Sequence, residues 1–535
     1  MTQTFDIIVV GAGHNGLVAA ADLAGAGLKT LVLERRPMVG GACVTEELLP
    51  GHRFSTASYV CSLLRPEIIR DLRLKEHGLE ILPYRATFAP FPDGRSLLLG
   101  LGDTEDARQI GRFSSGDADA YPRFNAAIAR VADFVRPTLS LTPPDPGAPG
   151  LGGLIETLKM GRRFKRMPRA DQALLIKMMT MSCADLLDEW FESPALKALL
   201  GPTGTIGTYG SPRTPGTAFV FLHYALGEVD GVRGAWGFVR GGMGRIAAAI
   251  ASAARARGAV IRVDAPIERI LVRDGRARGV VLESGEEIAG RVVVSNADPK
   301  RTFLGLVGRA HLPADFVHGI ETLRCRGNSA KINLALGELP DFTALPGDGE
   351  HLRGSIDIVG ADPGHLERAF DDYKAGRPSR DPFLEITIPS TVDSTLTPAG
   401  RHVMGISVKF VPYHLAEGDW ESRREELGDL AIDTLARYAP NIRRALVHRQ
   451  VLTPRDFEDR FGLTGGNICH GDMAPDQLFV MRPLLGWARY RTPIAGLYLC
   501  GSGTHPGGGV MGAPGRNAGR EILKDLRRVR PRASA

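Results

Sequence analysis

Three glycines near the start of the chain have the spacing of a phosphate-binding turn. Gly11, Gly13 and Gly16 directly follow the β-branched run 7–10 and open an alanine-rich helix predicted to end near Gly25. The first glycine allows a tight turn from strand to helix, the second lets a pyrophosphate approach the backbone, and the third lets the helix pack on the strand. The helix N-terminus adds unpaired N–H groups and partial positive charge. The spacing therefore predicts a dinucleotide site.

An acidic residue follows the second predicted strand, at the position where a dinucleotide fold binds a ribose. A second apolar strand, residues 30–33, ends at Glu34, whose carboxylate can accept hydrogen bonds from ribose hydroxyls. Arg35 follows and is a further candidate for cofactor binding. It could receive the 2′-phosphate of NADP, but Glu34 would repel that phosphate, so we favour an arginine in solvent at the strand end.

Further cofactor candidates flank this unit. His14 and Asn15 belong to the glycine turn itself, beside the predicted phosphates. Gly40 and Gly41 follow Glu34 closely and allow the backbone to pass beside the pyrophosphate and the ring system, with Ala42 next to them. The alternative for this pair is a flexible turn.

A second glycine-rich signature lies near the other end of the chain. An apolar strand at 497–500 is followed by a glycine-rich turn and by a helix predicted to begin near Gly512 or Ala513. A helix N-terminus suits the pyrimidine edge of an isoalloxazine, because reduced flavin carries negative charge there. The alternative is a glycine-rich linker before an amphipathic helix. Taken together, the two signatures predict FAD; the candidates in this motif are Gly501, Ser502, Gly508, Gly509, Val510 and Met511.

The catalytic candidates are one lysine and a few histidines. Lys331 lies in an otherwise apolar strand, and a buried lysine is costly unless it is paired or used. It could hold a water near the hydride-accepting nitrogen of the flavin; the alternative is a strand-edge lysine that reaches solvent. His470 and His223 are further candidates. His505 could relay protons or contact the flavin, or could simply be a turn histidine.

Composition excludes several classes of protein. The chain has 535 residues, 43% hydrophobic and 24% charged, which is typical of a globular protein with two or more domains. Its 6 cysteines are scattered without CxxC or metal-ligand spacing, which predicts a reduced compartment, no metal site and no disulfide chemistry. No export signal or membrane span is apparent, so we expect a cytoplasmic location.

The formal net charge of +6 is unevenly distributed. One basic cluster spans 159–169, but no nucleic-acid-binding module accompanies it, so no nucleic-acid partner is expected. Leu154, Ile155 and Leu158 could supply an apolar face beside this cluster, giving peripheral contact with an anionic membrane. A helix or loop in solvent is the alternative.

The elements that must position these residues fall into alternating blocks. Residues 1–60, 235–305 and 490–535 are interpreted as a discontinuous FAD-binding domain, and 61–234 and 306–489 as a substrate domain inserted twice. The predicted fold class is α/β, with a three-layer Rossmann-like domain on a mostly parallel sheet with a β-meander. The inserted substrate domain is predicted to be α+β.

The middle block carries most of the meander prediction. A helix at 245–257 precedes a strand at 260–263, and turn signals then separate strands at 267–272 and 277–282. Two further strands are predicted at the end of the block, one at 286–288 and one at 291–295. The first insertion is predicted to be rich in helices after Glu105, and the second to mix strands and helices.

These motifs resemble the phytoene-desaturase-like flavoproteins of the flavin amine oxidase superfamily. The resemblance rests on GAGHNGLVAAADLAGAGLKTLVLERRPMVGGACVTEE, SYVCSLLRPEII, GGMGRIAAAI, SNADP and LYLCGSGTHPGGGVMGAPGRNA. It implies that the first motif binds the ADP half of FAD, that the Val263 backbone contacts the adenine side, and that residues 501–512 hold the flavin side. It also likens Lys331 to the lysine that contacts a flavin-bound water in amine oxidases.

The expected function follows from that resemblance and from the cofactor motifs. We expect an FAD-dependent oxidoreductase that dehydrogenates a small apolar molecule by hydride transfer, with oxygen or a quinone as electron acceptor and a pocket between the domains. Alternatives are a flavin-dependent isomerase, an amine oxidase, or a non-catalytic binding or escort protein on the same fold. The sequence leaves the substrate, the acceptor and the oligomeric state open.

Overall fold

The computed structural model describes residues 4–84, 86–144, 151–360 and 362–529, so the outermost parts of the predicted first and third blocks lie outside the described residues. The α-helices are α1 (His14–Gly25), α2 (Pro66–Asp71), α3 (Asp103–Gly111), α4 (Ser115–Val135), α5 (Leu151–Arg166), α6 (Arg169–Thr180), α7 (Cys183–Asp188), α8 (Pro194–Leu200), α9 (Thr217–Ala225), α10 (Gly244–Ala256), α11 (Ala314–Thr322), α12 (Gly364–Lys374), α13 (Trp420–Ala436), α14 (Ile442–Ala445), α15 (Pro454–Phe461) and α16 (Ala513–Val529). The strands are β1 (Thr4–Val10), β2 (Thr30–Leu33), β3 (Thr45–Leu49), β4 (His52–Ser55), β5 (Ile81–Tyr84), β6 (Thr87–Pro90), β7 (Ser96–Leu99), β8 (Glu228–Val229), β9 (Val232–Arg233), β10 (Trp236–Val239), β11 (Val260–Arg262), β12 (Ile267–Arg273), β13 (Arg276–Leu282), β14 (Glu287–Ser295), β15 (Ser329–Leu336), β16 (Ser355–Ile358), β17 (Leu384–Thr387), β18 (His402–Lys409), β19 (Leu446–Leu452) and β20 (Leu497–Leu499).

Strands from all three predicted nucleotide blocks meet in one sheet, the first sheet. Its order is β11-β2-β1-β14-β13-β12, and β20 pairs with β14. β11, β2, β1, β14 and β20 run parallel, whereas β12, β13 and β14 form an antiparallel meander. Helices α1, α10 and α16 pack together on one side, and α11 covers the other side with apolar residues. This confirms the Rossmann-like sheet with a meander and brings the ends of β1 and β20 to the same edge.

One strand prediction in the middle block is wrong. Residues 286–288 and 291–295 were expected to be separate strands, but β14 runs without a break from Glu287 to Ser295. Gly290 stays in register with Phe5 of β1, and a Cβ at Gly290 would lie 2.6 Å from the Cδ1 of Ile8. The glycine therefore marks a close approach of a neighbouring side chain rather than a turn.

The second sheet has the order β19-β15-β18-β17-β16-β6-β7. Its pairs are antiparallel except for β16 and β6, and β15 is an internal strand between β18 and β19. Apolar residues of one face pack against α13 and α14. The mixture of strands and helices predicted for the second insertion is confirmed.

The first insertion is largely helical after Glu105, as predicted, and its helices form a large apolar core. Ser114, Ser182 and Ser193 cap α4, α7 and α8 by accepting a hydrogen bond from the N–H three residues later. Strand β5 of this insertion pairs with β10, so the exact domain boundaries stay a prediction. Within the described ranges, none of the helices combines the length and hydrophobicity needed to cross a lipid bilayer.

Candidate functional site

The first strand–helix turn has the backbone geometry that its glycines predict. Gly11 has a φ of +90°, in the region that favours glycine. A Cβ at Gly16 would lie 2.5 Å from the carbonyl oxygen of Gly11, so a side chain there would push α1 away from β1. A Cβ at Gly13 would lie 2.5 Å from the Nδ2 of Asn296 at the end of β14. Neither Gly13 nor Gly16 therefore has room for a side chain.

The first and last motifs touch each other directly. The Nδ2 of Asn15 donates a hydrogen bond of 3.3 Å to the Oγ of Ser502. A Cβ at Gly515 in α16 would lie 2.0 Å from the carbonyl oxygen of Asn15, so α16 packs tightly on the start of α1. The two glycine-rich signatures thus build one site from opposite ends of the chain.

A cavity of about 770 Å³, here called the Glu34 cavity, lies at the end of β2. The buried Glu34 carboxylate accepts hydrogen bonds from the N–H groups of Ala12 (2.8 Å) and Arg36 (3.0 Å), which hold it at the wall. Arg35 lines the same cavity and donates a hydrogen bond of 3.0 Å to the carbonyl oxygen of Asp459. The structure therefore places the carboxylate at the cavity wall directly after β2, and its ribose-binding role stays a prediction.

A larger cavity of about 1290 Å³, here called the Lys331 cavity, adjoins the first. Gly13, Gly41, Asn296 and His470 line both cavities, so the two lie side by side. Loops at the edge of the first sheet form one part of its wall, and the second sheet forms another. Further cofactor candidates that line it are His14, Asn15, Gly40, Ala42, Ser502, Gly509 and Val510.

Several buried polar atoms around this space lack a hydrogen-bond partner. They are the Nε2 of His14, the Oδ1 of Asn15, the Nδ1 of His470 and the Nε of Arg301. Burial lowers the pKa of His14 to about 4, with a further contribution from His470, whose own pKa burial also lowers. Because buried polar atoms are normally satisfied, these neutral rings and the glycine cradle fit a polar dinucleotide such as FAD.

One buried arginine fixes the loop that carries His470. Arg482 is 1% exposed and donates to five carbonyl oxygens, among them those of Cys469 (2.6 Å) and Ser502 (2.9 Å). It therefore ties this loop to the C-terminal motif, and so holds His470 at the junction of the two cavities.

Lys331 is fully enclosed, which excludes the strand-edge alternative. It is 2% exposed in the internal strand β15, and its Nζ has no hydrogen-bond partner in the part of the chain that the structure describes. The ammonium lies 4.0 Å from the centroid of the Tyr59 ring. Burial lowers the pKa of Lys331 to about 7; the nearby Glu385 opposes this fall and Lys409 adds to it. The Lys331 side chain can therefore change its charge near neutral pH.

Lys331 belongs to a row of polar residues on one face of the second sheet. The register places Glu385 opposite Ser407 and Ser407 opposite Lys331, so all three project from the same face. Lys409, two residues beyond Ser407, shares that face, and all four line the Lys331 cavity. Burial raises the pKa of Tyr59 well above its usual range, and the Glu385 carboxylate raises it further.

Some predicted cofactor residues lie outside both cavities. A Cβ at Gly508 would lie 2.2 Å from the Sγ of Cys469, and one at Gly501 would lie 2.7 Å from the carbonyl oxygen of Asn296. These glycines serve the packing of their loop, as Gly16 does in the first turn. The predicted cofactor residues that line neither cavity are Gly16, Val263, Gly501, Gly508 and Met511.

The structure does not bring His505 to either cavity. Its Nε2 lies 2.9 Å from the carbonyl oxygen of Thr138, and burial lowers its pKa to about 4. His223 is likewise enclosed, with its Nε2 3.0 Å from the carbonyl oxygen of Gly508. The Nε2 atom of each ring contacts a backbone carbonyl oxygen, and neither ring lines a cavity. Both histidines therefore support the C-terminal loop.

Sequence reasoning missed several residues that line the site. Asn296 ends a parallel strand next to β1, and this position at the carboxyl edge could have identified it. Glu385, Ser407 and Lys409 gave only a weak signal, the alternation of polar and apolar residues along β17 and β18. Tyr59 lies in a loop, where no alternation of polar and apolar residues could identify it.

Comparison with known proteins decides the family. The model of flavin-containing amine oxidoreductases matches residues 16–522. The chain belongs to this family. Pyridine nucleotide-disulfide oxidoreductase domain-containing protein 2 of Rattus norvegicus, whose branch the motifs resemble, is 44% identical, with 98% of this chain and 94% of the rat protein covered. The neurosporene-forming phytoene desaturase of Cereibacter sphaeroides is 27% identical, with 98% of this chain and 95% of the desaturase covered.

A solved structure shows the same fold. The structure of putrescine oxidase bound to putrescine superimposes with a TM-score of 0.60 at 16% identity, covering 99% of this chain and 100% of the oxidase. The predicted α/β class is therefore confirmed, as is the resemblance to flavin amine oxidases and phytoene desaturases.

Proposed function

We propose that this family member is an FAD-dependent oxidoreductase that dehydrogenates or desaturates a small, largely apolar molecule. One observation carries the proposal: the cavity at the dinucleotide turn adjoins a second cavity with largely apolar walls. Leu63, Ile206, Tyr224 and Trp236 are among those walls. When bound, FAD supplies a two-electron acceptor for hydride from a substrate C–H bond, and oxygen or a quinone would reoxidise it.

Each part of the chain has a defined task in this proposal. The Gly13 turn and the start of α1 hold the pyrophosphate, and Glu34 accepts hydrogen bonds from the ribose. The neutral rings of His14 and His470 offer hydrogen bonds at the junction of the cavities. The Nζ of Lys331 can hold or release a proton near neutral pH, which suits a general acid or base.

The test is anaerobic reduction of the purified yellow protein. We expect an apolar substrate from a library of terpenoids and lipids to bleach the flavin absorbance, and added oxygen or quinone to restore it. A purified protein that never retains FAD, even when FAD is supplied during refolding, would refute the proposal.

A second candidate function is amine oxidation. The Glu385 carboxylate in the cavity could hold a substrate ammonium, and the putrescine-bound relative has the same fold. Two aromatic residues precede the C-terminal motif, and neither lines the Lys331 cavity: Trp487 packs against Phe316, and the buried Tyr490 donates its hydroxyl to a backbone carbonyl. Primary amines in the same anaerobic assay distinguish this candidate, since they would bleach the flavin where hydrocarbons do not.

The remaining alternatives make different predictions. An isomerase would form product with reduced flavin and without a stoichiometric electron acceptor. An escort protein would bind a partner through the basic cluster at 159–169, so mutation of that cluster would abolish partner binding and leave FAD content unchanged.

We also propose that α5 contacts an anionic membrane surface. Leu154, Ile155 and Leu158 on this helix are 50%, 51% and 58% exposed, next to basic side chains near its C-terminal end. We expect the protein to sediment with phosphatidylglycerol vesicles and not with phosphatidylcholine vesicles. Leu158→Asp should abolish sedimentation without changing FAD content, and equal sedimentation of this variant would contradict the proposal.

A further inference from the structure

The polar face of the second sheet is buried, which is unusual for a sheet with alternating residues. In antiparallel sheets the polar face normally meets water. Here Lys331, Ser407 and Lys409 are 2%, 5% and 2% exposed. Burial of such groups is costly unless a partner compensates it. The Lys331 cavity lies directly over this face, so a compensating partner has room to bind.

The charges on this face do not cancel. The ammonium groups of Lys331 and Lys409 and the carboxylate of Glu385 line the cavity, and within the described residues neither lysine forms an ion pair with Glu385 within 4.0 Å. Asp357 lies opposite Glu385 in the next strand and does not line the cavity. Burial and the neighbouring Glu385 raise the pKa of Asp357 to about 8, so it is largely neutral at pH 7. The cavity face therefore presents two buried lysine side chains, Lys331 and Lys409, beside the single carboxylate of Glu385.

The position of the Lys331 ammonium is fixed by the strand beside it. A Cβ at Gly405 in β18 would lie 2.5 Å from the Nζ and 3.2 Å from the Cε of Lys331. The absence of a side chain at Gly405 thus leaves the channel along which Lys331 extends. Lys409 is a diagonal neighbour of Lys331 across the same pair of strands, within reach of one small ligand group.

We infer that the substrate is amphipathic and carries a carboxylate, which binds at Lys331 and Lys409 while its apolar body lies along the rest of the cavity. This inference rests on the proposed function, since it names the substrate class of that same site. A carboxylate satisfies the Nζ of Lys331, which has no hydrogen-bond partner among the described residues, and it stabilises the charged form of both lysines. Tyr59 and Ser407 also line the cavity, where the Tyr59 hydroxyl contacts Glu385 and Ser407.

The experiment measures binding by calorimetry on the FAD-loaded protein, with decanoate, decan-1-ol and decylamine as probes of equal chain length. Decanoate should bind most tightly, by about tenfold or more over the alcohol. Lys331→Met and Lys409→Met should each weaken decanoate binding by about tenfold and leave decanol binding unchanged. Glu385→Gln should leave decanoate binding equal or stronger. Thermal unfolding and FAD content show whether each variant is folded.

Three results would overturn the inference. Decylamine could bind best and lose affinity in Glu385→Gln, which would assign the face to an amine. All three probes could bind alike in every variant. Lys331→Met and Lys409→Met could lose FAD and not decanoate, which would assign the ammonium groups to the cofactor. Because calorimetry needs no turnover, a protein that binds decanoate but is never bleached would refute the proposed reaction and leave this inference standing.

Discussion

The glycine turn at the end of β1 and the polar face of the second sheet both line the site, but they are built in opposite ways. The turn is made by residues close together in sequence, and it works because side chains are missing from Gly11 and Gly16. The polar face is made by residues far apart in sequence, and it works because Lys331 and Glu385 project into buried space. In our proposals, cofactor binding depends on backbone shape, and substrate binding depends on side-chain charge.

This difference predicts how each region responds to mutation. The turn should fail when one carbon atom is added, because backbone atoms already stand at contact distance. The polar face should tolerate changes of size and fail when charge is removed. The following predictions test that contrast, from the largest expected effect to the smallest.

Arg482→Met should cause the greatest loss, because Arg482 ties the loop that carries His470 to the C-terminal motif, between the two regions. Removal of its guanidinium leaves five carbonyl oxygens without their donor. We expect the free energy of unfolding to fall by about 3–5 kcal/mol, measured by urea denaturation. Arg368→Met is the matched control: Arg368 is an exposed arginine paired with Asp362, and its loss should cost less than about 1 kcal/mol. Equal effects would show that Arg482 does not fasten the loop.

Gly16→Ala tests the turn itself. The added Cβ would lie 2.5 Å from the carbonyl oxygen of Gly11, so we expect about 1–3 kcal/mol of destabilisation and loss of bound FAD, read from the visible absorbance. Gly161→Ala makes the same chemical change in α5, where no described atom outside the neighbouring helix backbone lies within 4 Å of the new Cβ. That control should keep its FAD and gain stability from better helix propensity. Retention of FAD by both Gly16→Ala and Gly161→Ala would show that the turn tolerates an added carbon atom, contrary to this prediction.

The pH dependence of stability tests the buried lysine. In the unfolded chain Lys331 has a pKa near 10.4, whereas burial lowers its pKa to about 7 in the fold. Between these values the unfolded state binds more protons, so stability rises with pH, by up to about 1.4 kcal/mol per pH unit. Denaturation of the ligand-free protein at pH 8 and pH 9 should show this rise, and Lys331→Met should lack it.

Other groups face Lys331, so the comparison needs its own controls. Glu385, Tyr59 and Lys409 line the same cavity, and Asp357, whose pKa is raised to about 8, lies behind them. Asp357→Asn in the wild-type background separates its titration from that of Lys331. An unchanged pH slope in Lys331→Met would mean that Lys331 is charged in the fold.

Glu34→Gln should have the smallest effect. The amide keeps the size of the carboxylate but accepts weaker hydrogen bonds from a ribose, so FAD affinity should fall by about tenfold or less. Equilibrium dialysis against FAD measures this change. An increase in affinity for NADP in place of FAD would instead show that Arg35 and not Glu34 governs the nucleotide.

Features made by residues close together in sequence could be predicted, whereas features made by residues far apart in sequence could not. The turn at Gly11, the role of Glu34 and the start of α16 depend on short-range spacing, so each could be inferred from residues a few positions apart. The polar face could not, because its members are brought together by the register of β15, β17 and β18, which no short motif specifies. Val263 was predicted from the family resemblance and His505 from the C-terminal motif. Neither residue lines either cavity.

The packing of α16 on α1 has a consequence for biosynthesis. Domains generally fold from the N-terminus as the ribosome proceeds, at about 5–20 residues per second. The first strand–helix unit of this protein emerges early, but the surface of α1 that meets Ala518 and Ile522 stays uncovered until the last helix is made. That apolar surface of α1 needs protection until α16 is made, and we expect cofactor capture to follow the docking of α16. Premature termination before α16 would leave a product that aggregates rather than a weaker enzyme.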